Sequence, residues 1–275
     1  TEYRDGTIIC PERLVVPTAD QRGTVLSMVA CSPDLIAHKL LTIFPENTDL
    51  PTLQGQVTCL DGADGRFLFA MDGITATERR TAAVSMLGLS CLRPANLNHV
   101  LLIGTGAQAA VHLEALNELY PGLSVSIRGR NKKRIGFLVE GPYPALRIEV
   151  EQDTAYQYDA VITVTSSRNI LFDASASSKT LVIGVGAYRP DMIEIGPEIV
   201  LKSLCVVDDP IGAPHEAGDI LQAGKNWSEV RSLADFLQNR PPKAQPIFFK
   251  SVGCAAWDLA ACRLAVKSLL QGQKH

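Results

Sequence analysis

The run His99-Val-Leu-Leu-Ile-Gly104-Thr105-Gly106-Ala107-Gln108-Ala109 constrains this chain more than any other stretch. Apolar residues lead into Gly104-x-Gly106-x-x-Ala109, and a helical pattern follows at once through Ala109, Leu113, Leu116 and Tyr120. A second strand, residues 123–127, comes after Pro121-Gly122. Strand, glycine turn and helix in this order form the context in which the motif marks a dinucleotide site. Gly104 permits the tight turn, Gly106 lets a pyrophosphate come close to the backbone, and Ala109 keeps helix and strand in contact. The phosphates then rest on unpaired N–H groups at the helix N-terminus. The plain alternative is a tight strand-to-helix turn that holds no ligand.

The end of the second strand bears on which dinucleotide binds. An NAD site usually places an Asp or Glu there for the ribose 2′-hydroxyl. Here the chain runs Arg128-Gly-Arg130-Asn131-Lys132-Lys133-Arg134, with no carboxylate. Guanidinium forks suit a 2′-phosphate, so the turn favours NADPH, with NADH still able to serve. A solvated basic turn is the alternative.

From residue 98 onward strands and helices alternate, with further strands expected at 147–150, 160–164, 181–185, 204–207 and 247–250. Helices are expected at 132–140, 197–201 and 229–237. That rhythm implies parallel crossovers and a doubly wound sheet. Before it, strands at 13–16, 24–29, 38–44, 54–60 and 66–70 read as a mixed or antiparallel sheet. A helix over 75–91 follows, opened by the capping-box pattern Thr75-x-x-Glu78. A Pro-rich segment, 240–246, leads to the final strand and a closing helix over 254–270. The expected class is α/β: a Rossmann-type doubly wound sheet (97–250) plus a second α+β domain (1–96 with 251–275).

Composition narrows the partners. A formal net charge of −3 over 275 residues argues against nucleic acid or an anionic membrane as the main partner. No apolar run approaches the ~18 residues that span a bilayer. The first residues lack a signal-peptide core, so a cytoplasmic protein is expected. Seven cysteines without a C-x-x-C pair read as reduced thiols used for packing. No metal-ligand signature is present, and no metal is expected.

Several polar residues stand out against apolar surroundings. Lys39 shares a strand face with Leu41 and Ile43, which is unusual for an idle surface charge; an active-site lysine and a snorkelling one both fit. Arg79 and Arg80 sit near a helix start, where an arginine can clamp a carboxylate. Asp208 and Asp209 end a sheet strand, and Ser166, Ser167 and Ser251 lie at strand ends suited to phosphate or amide contacts. There is no G-x-S-x-G, so serine nucleophile chemistry has no support.

These residues fall in words that resemble the ornithine cyclodeaminase/mu-crystallin family. They are His38-Lys39-Leu-Leu-Thr with Phe44-Pro-x-Asn47, Arg80-Thr-Ala-Ala83, Ile103-Gly-Thr-Gly-Ala-Gln108 and Val164-Thr-Ser-Ser167. Gly186-Ala-Tyr-Arg-Pro190-Asp191, Glu216-Ala-Gly-Asp219, Phe249-Lys-Ser-Val-Gly253 and Asp258-Leu-Ala follow in order. The opening Cys10-Pro-Glu-Arg-Leu-Val-Val-Pro17 is similar to the branch that reduces cyclic imino acids. The resemblance implies a substrate-binding and dimerisation domain, a nucleotide domain and a homodimer. It implies that Arg80, Lys39 and Arg13 bind the substrate carboxylate, with Lys39 and Arg80 counted as catalytic. Gly104, Thr105, Gly106, Ala107, Gln108, Arg128, Arg130, Asn131, Thr165 and Ser251 match the family's cofactor contacts.

One departure separates branches. Deaminating cyclases carry an Asp in a Gly-Gly-Asp-x-Pro word, and here that place is Tyr188. With a pKa near 10, a tyrosine is a poor base at pH 7, which disfavours ornithine deamination. The expectation is an NAD(P)H-dependent reductase of small cyclic imino acids, with Delta(1)-pyrroline-2-carboxylate leading and Delta(1)-piperideine-2-carboxylate next. The rivals are an alanine-dehydrogenase-type enzyme, an ornithine cyclodeaminase and a non-catalytic, mu-crystallin-like binding protein.

Overall fold

Alternating apolar residues build the first sheet. In the computed structural model, which describes residues 2–152, 156–242 and 244–272, β1 (Leu14–Pro17), β2 (Thr24–Cys31), β3 (Leu35–Ile43), β4 (Leu53–Asp61) and β5 (Phe67–Asp72) pair in chain order. Every pairing is antiparallel. On β3 the buried positions are Leu35, Ala37, Lys39 and Leu41, so one polar residue lies on the core face. The C-terminal helix Ala255–Gly272 lies on β2, β3 and β4. Its Leu259 and Cys262 join Met28, Ala37 and Val57 in one apolar cluster.

Helix α1 (Gly73–Leu92) starts two residues before the expected point. Its cap is Asp72, whose carboxylate accepts the Thr75 backbone N–H at 2.7 Å. The Thr75-x-x-Glu78 box is therefore inside the helix, not at its start. An aspartate just ahead of the first turn satisfies an orphan donor as well as a threonine does.

The chain divides into two units, 1–80 with 253–275 and 81–252. The expected border at 96/97 lies after α1, whereas the division falls inside it. The rear half of α1 packs with the second unit: a side chain at Gly88 would meet the Phe249 ring at 2.4 Å. Residues 1, 153–155, 243 and 273–275 lie outside the described residues. The two ends of the expected substrate-domain span and part of the 240–246 connector fall there.

The second unit contains β6 (His99–Ile103), α2 (Ala107–Leu119), β7 (Ser124–Arg128), α3 (Lys132–Val139), β8 (Arg147–Val150) and β9 (Ala160–Thr163). After them come β10 (Arg168–Phe172), β11 (Leu181–Gly184), β12 (Ile193–Ile195), α4 (Pro197–Lys202), β13 (Leu204–Val207), α5 (Ala213–Glu216), α6 (Gly218–Ala223), β14 (Arg231–Ser232) and β15 (Ile247–Lys250). The helix 255–272 is thus α7. Eight strands form one sheet in the order β14-β13-β15-β11-β9-β6-β7-β8, all parallel. Strands β9, β11 and β15 are buried along their whole length, as strands covered on both faces require. Strand order reverses at β6, which has β7 on one side and β9 on the other. This is the Rossmann-type doubly wound sheet, with an antiparallel sheet in the other unit.

The expected helix at 229–237 is a correction. Arg231 and Ser232 pair with Val206 and Val207, and Ser232 accepts the Ala234 N–H to start a short 3-10 turn. A place beside β13 outweighs the helical spacing of Val230, Leu233 and Leu237.

Candidate functional site

Lys39 lies opposite Met28 on β2 and Val57 on β4, both buried and apolar. Register alone therefore takes its ammonium out of water, and the side chain is 1% exposed. Asp258, one turn into α7 and also 1% exposed, comes down onto the same face. Its Oδ2 stands 2.7 Å from Lys39 Nζ, and its Oδ1 stands 3.4 Å from Arg80 Nε. Burial pulls the Lys39 pKa from 10.5 down to about 8, helped by the Arg80 charge and opposed by Asp258.

Gly253 draws in the remaining cation. Its φ of +75° turns the chain, and its carbonyl accepts from Arg13 Nη2 at 2.5 Å. The Arg80 guanidinium lies against the same residue, since a Cβ there would be 2.4 Å from Nη1. Arg13, Lys39 and Arg80, the expected carboxylate ligands, are thus gathered with Asp258 in the first unit. Lys39 and Arg80 set two cations against the single carboxylate of Asp258, and that excess suits a monoanionic carboxylate. Arg79 is exposed on the other side of α1 and does not join them.

Asp258 was not singled out from sequence, although the word containing it was. The signal was available: a carboxylate four residues before buried Cys262, on the apolar face of a helix. It is the counterpart of a lysine on the apolar face of a strand.

In the second unit the glycine turn has the geometry a dinucleotide needs. Gly104 has φ +135°, and a Cβ there would meet Val164 Cγ2 at 2.8 Å. Gly106 is the N-cap of α2, no side chain caps that helix, and a Cβ at Gly106 would enter open space. Open space ahead of uncapped helical N–H groups is what a pyrophosphate would fill, so the residues present fit a dinucleotide. Thr105, Ala107 and Gln108 belong to this turn and the first turn of α2.

Several of the other expected contacts already have partners within the chain. Arg128 is not a free fork: Nε and Nη2 donate to Glu151 at 2.5 and 2.6 Å, and Nη1 donates to the Leu171 carbonyl at 3.0 Å. A carboxylate does reach the end of β7, but it comes from beyond β8, where spacing from the glycines does not look for it. Asn131 caps α3 by accepting the Arg134 N–H at 3.0 Å. Ser251 is 2% exposed, and its hydroxyl donates to Asp208 at 2.8 Å, so its proton is already engaged. Arg130 and Arg134 remain exposed. Thr165 is half-buried, with its hydroxyl donated to Glu194 at 2.8 Å.

Among the described residues, no group of three or more His, Cys, Asp or Glu is placed to hold a metal ion. No helix among them is long and apolar enough to cross a membrane.

Comparison with known proteins gives a consistent picture. The sequence model of the ornithine cyclodeaminase/mu-crystallin family matches residues 1–273. The Delta(1)-pyrroline-2-carboxylate/Delta(1)-piperideine-2-carboxylate reductase of Azospirillum brasilense is 45% identical over 273 residues, covering 98% of this chain and 88% of that one. Among solved structures, Thermococcus litoralis Delta(1)-pyrroline-2-carboxylate reductase in complex with NADH and L-proline is 25% identical. It superposes with a TM-score of 0.89 over 99% of this chain and 90% of its own. An archaeal alanine dehydrogenase dimer with bound NAD reaches the same TM-score at 22% identity, covering 99% and 88%, a likeness of fold alone.

Proposed function

The chain belongs to the ornithine cyclodeaminase/mu-crystallin family, and from that premise we propose that it is an oxidoreductase that reduces cyclic ketimine carboxylates. Delta(1)-pyrroline-2-carboxylate, giving L-proline, is the leading substrate, and Delta(1)-piperideine-2-carboxylate, giving L-pipecolate, is the second. The buried Lys39–Asp258–Arg80 cluster carries this reading: it is a built anion site in a chain 45% identical to a reductase of those two imines.

Arg80, Lys39 and Arg13 pair with the substrate carboxylate, and Asp258 holds the lysine and Arg80 at a fixed spacing. A carboxylate held on rigid cations fixes the ring, and orientation of this kind can supply much of a rate enhancement. Gly104, Gly106 and the N-terminus of α2 receive the pyrophosphate. A bound reduced nicotinamide supplies the hydride to the imine carbon. A protonated imine already accepts hydride readily, so the protein's task is placement more than acid–base chemistry.

NADPH is the preferred coenzyme in this reading. Both Glu151 oxygens are engaged by Arg128, which leaves them unsuited to a ribose 2′-hydroxyl, while Arg130 lies exposed beyond. A homodimer formed through the first unit is supported by β1, an edge strand with Leu14, Val15 and Val16 exposed by 61, 53 and 43%. Seven cysteines without a disulfide fit a cytoplasmic setting.

The test is a spectrophotometric comparison of NADPH and NADH with five- and six-membered ring imines, and with pyruvate plus ammonia. Oxidation that depends on the imine and not on ammonia is expected, with Arg130→Ala lowering the NADPH preference by about tenfold. Ammonia-dependent oxidation with pyruvate alone would move the chain to the alanine dehydrogenases. No oxidation with any of them would leave a binding protein.

A further inference from the structure

The second unit buries a set of charges that reduction of an imine does not itself require. Glu194 on β12, Asp219 on α6 and Lys250 at the end of β15 are all 0% exposed. Glu194 Oε1 accepts from the Thr165 backbone N–H at 2.7 Å and the Thr165 hydroxyl at 2.8 Å. Its Oε2 accepts from the backbone N–H groups of Gly186 and Ala187, at 2.8 and 3.1 Å. All these donors lie in the two segments that leave the carboxyl ends of β9 and β11. The segments touch: a Cβ on Gly186 would stand 1.7 Å from the Thr165 carbonyl oxygen.

Behind Glu194 a second carboxylate fixes the first. Asp219 Oδ1 accepts the Glu194 and Ile195 backbone N–H groups at 2.7 and 2.9 Å, and its Oδ2 lies 3.0 Å from Lys250 Nζ. Burial and the Asp219 charge raise the Glu194 carboxyl above its ordinary value, and the Lys250 charge and the Thr165 donors offset part of that rise. Three of its four partners are backbone N–H groups, which only donate, and the fourth is the Thr165 hydroxyl.

Sheet order says what these segments are for. The glycine turn follows β6, the reversal point, and the basic turn after β7 lies to one side of it. A dinucleotide laid across a reversal point extends its other half over the ends of the strands on the other side, here β9 and β11. We infer that Glu194 is a positioning residue for the nicotinamide half of the coenzyme, setting the spacing of the 165–167 and 186–188 segments that wall it. Asp219 and Lys250 hold Glu194 in place. The inference rests on the dinucleotide reading above, and it makes the adenosine half independent of Glu194.

The test compares ligands that share the adenosine end. Dissociation constants of NADPH and 2′-phospho-ADP-ribose, which lacks nicotinamide, are measured calorimetrically on the full chain, with NADH against ADP-ribose in parallel. Glu194→Gln turns an acceptor into an NH2 group facing two donors, so it should weaken the nicotinamide-bearing ligand by about tenfold and its truncated partner by less than about twofold. Thr165→Val, which removes one of the four donors, should move the same ratio in the same direction to a smaller extent, and Thr165→Ser should restore it. Equal weakening of both ligands, or an unchanged ratio in both variants, overturns the inference. If Glu194→Gln does not fold, the Thr165 pair decides by the same ratio. Wild-type protein that binds none of these ligands would overturn the dinucleotide reading and this inference with it.

Discussion

A lysine with Met28 and Val57 facing it across the neighbouring strands loses the hydration that keeps its proton on. Lys39 therefore titrates near 8 instead of 10.5, with Asp258 opposing a deeper fall. The sign for activity follows directly. In the proposed function the ammonium, present below the folded pKa, pairs with the substrate carboxylate; above it the charge is gone, and kcat/KM for the imine is expected to fall as pH rises through about 8. Lys39→Arg replaces the titrating group with one that stays charged, so its alkaline limb should move up by more than about one pH unit in a pH profile of kcat/KM. A limb unmoved in that variant would belong to another group. Half of this was legible in the sequence: strand alternation placed Lys39 on the apolar face, but its pairing with Asp258 was not. That pairing joins positions 39 and 258, and no local spacing reports it.

Elements with strong local signals were legible, and those set by partners were not. The glycine turn with β6 and α2 lies where the sequence placed it, because turn, strand and helix are each specified within a few residues. The short β10, β12 and β14 were missed, since strands of two to five residues are stabilised by the neighbours they pair with. The basic turn after β7 holds a contact that spacing does not report. Its residue types were read correctly, yet Arg128 turns to Glu151, a partner just past the neighbouring strand β8. The glycine turn permits a sharper test. Gly106 has φ −89° and open space at its Cβ position, so Gly106→Val should fold with a melting midpoint within about 2 °C of wild type. It should weaken NADPH binding by roughly a hundredfold in titration calorimetry, because the new side chain fills the phosphate position. Unchanged affinity would remove the pyrophosphate from this turn.

At the scale of the whole chain, the proposed function divides the chemistry between the two units. In that reading one would supply cations for a carboxylate, and the other a turn and a helix end for phosphate. Hydride transfer is the event that needs the chemistry of both, and an isotope follows it directly. Purified protein is incubated with Delta(1)-pyrroline-2-carboxylate and NADPH deuterated at both nicotinamide C4 positions, and the product is examined by mass spectrometry and NMR. The account predicts L-proline carrying one deuterium at the carbon next to the carboxylate. Proline without the label at that carbon, or no proline at all, would contradict it.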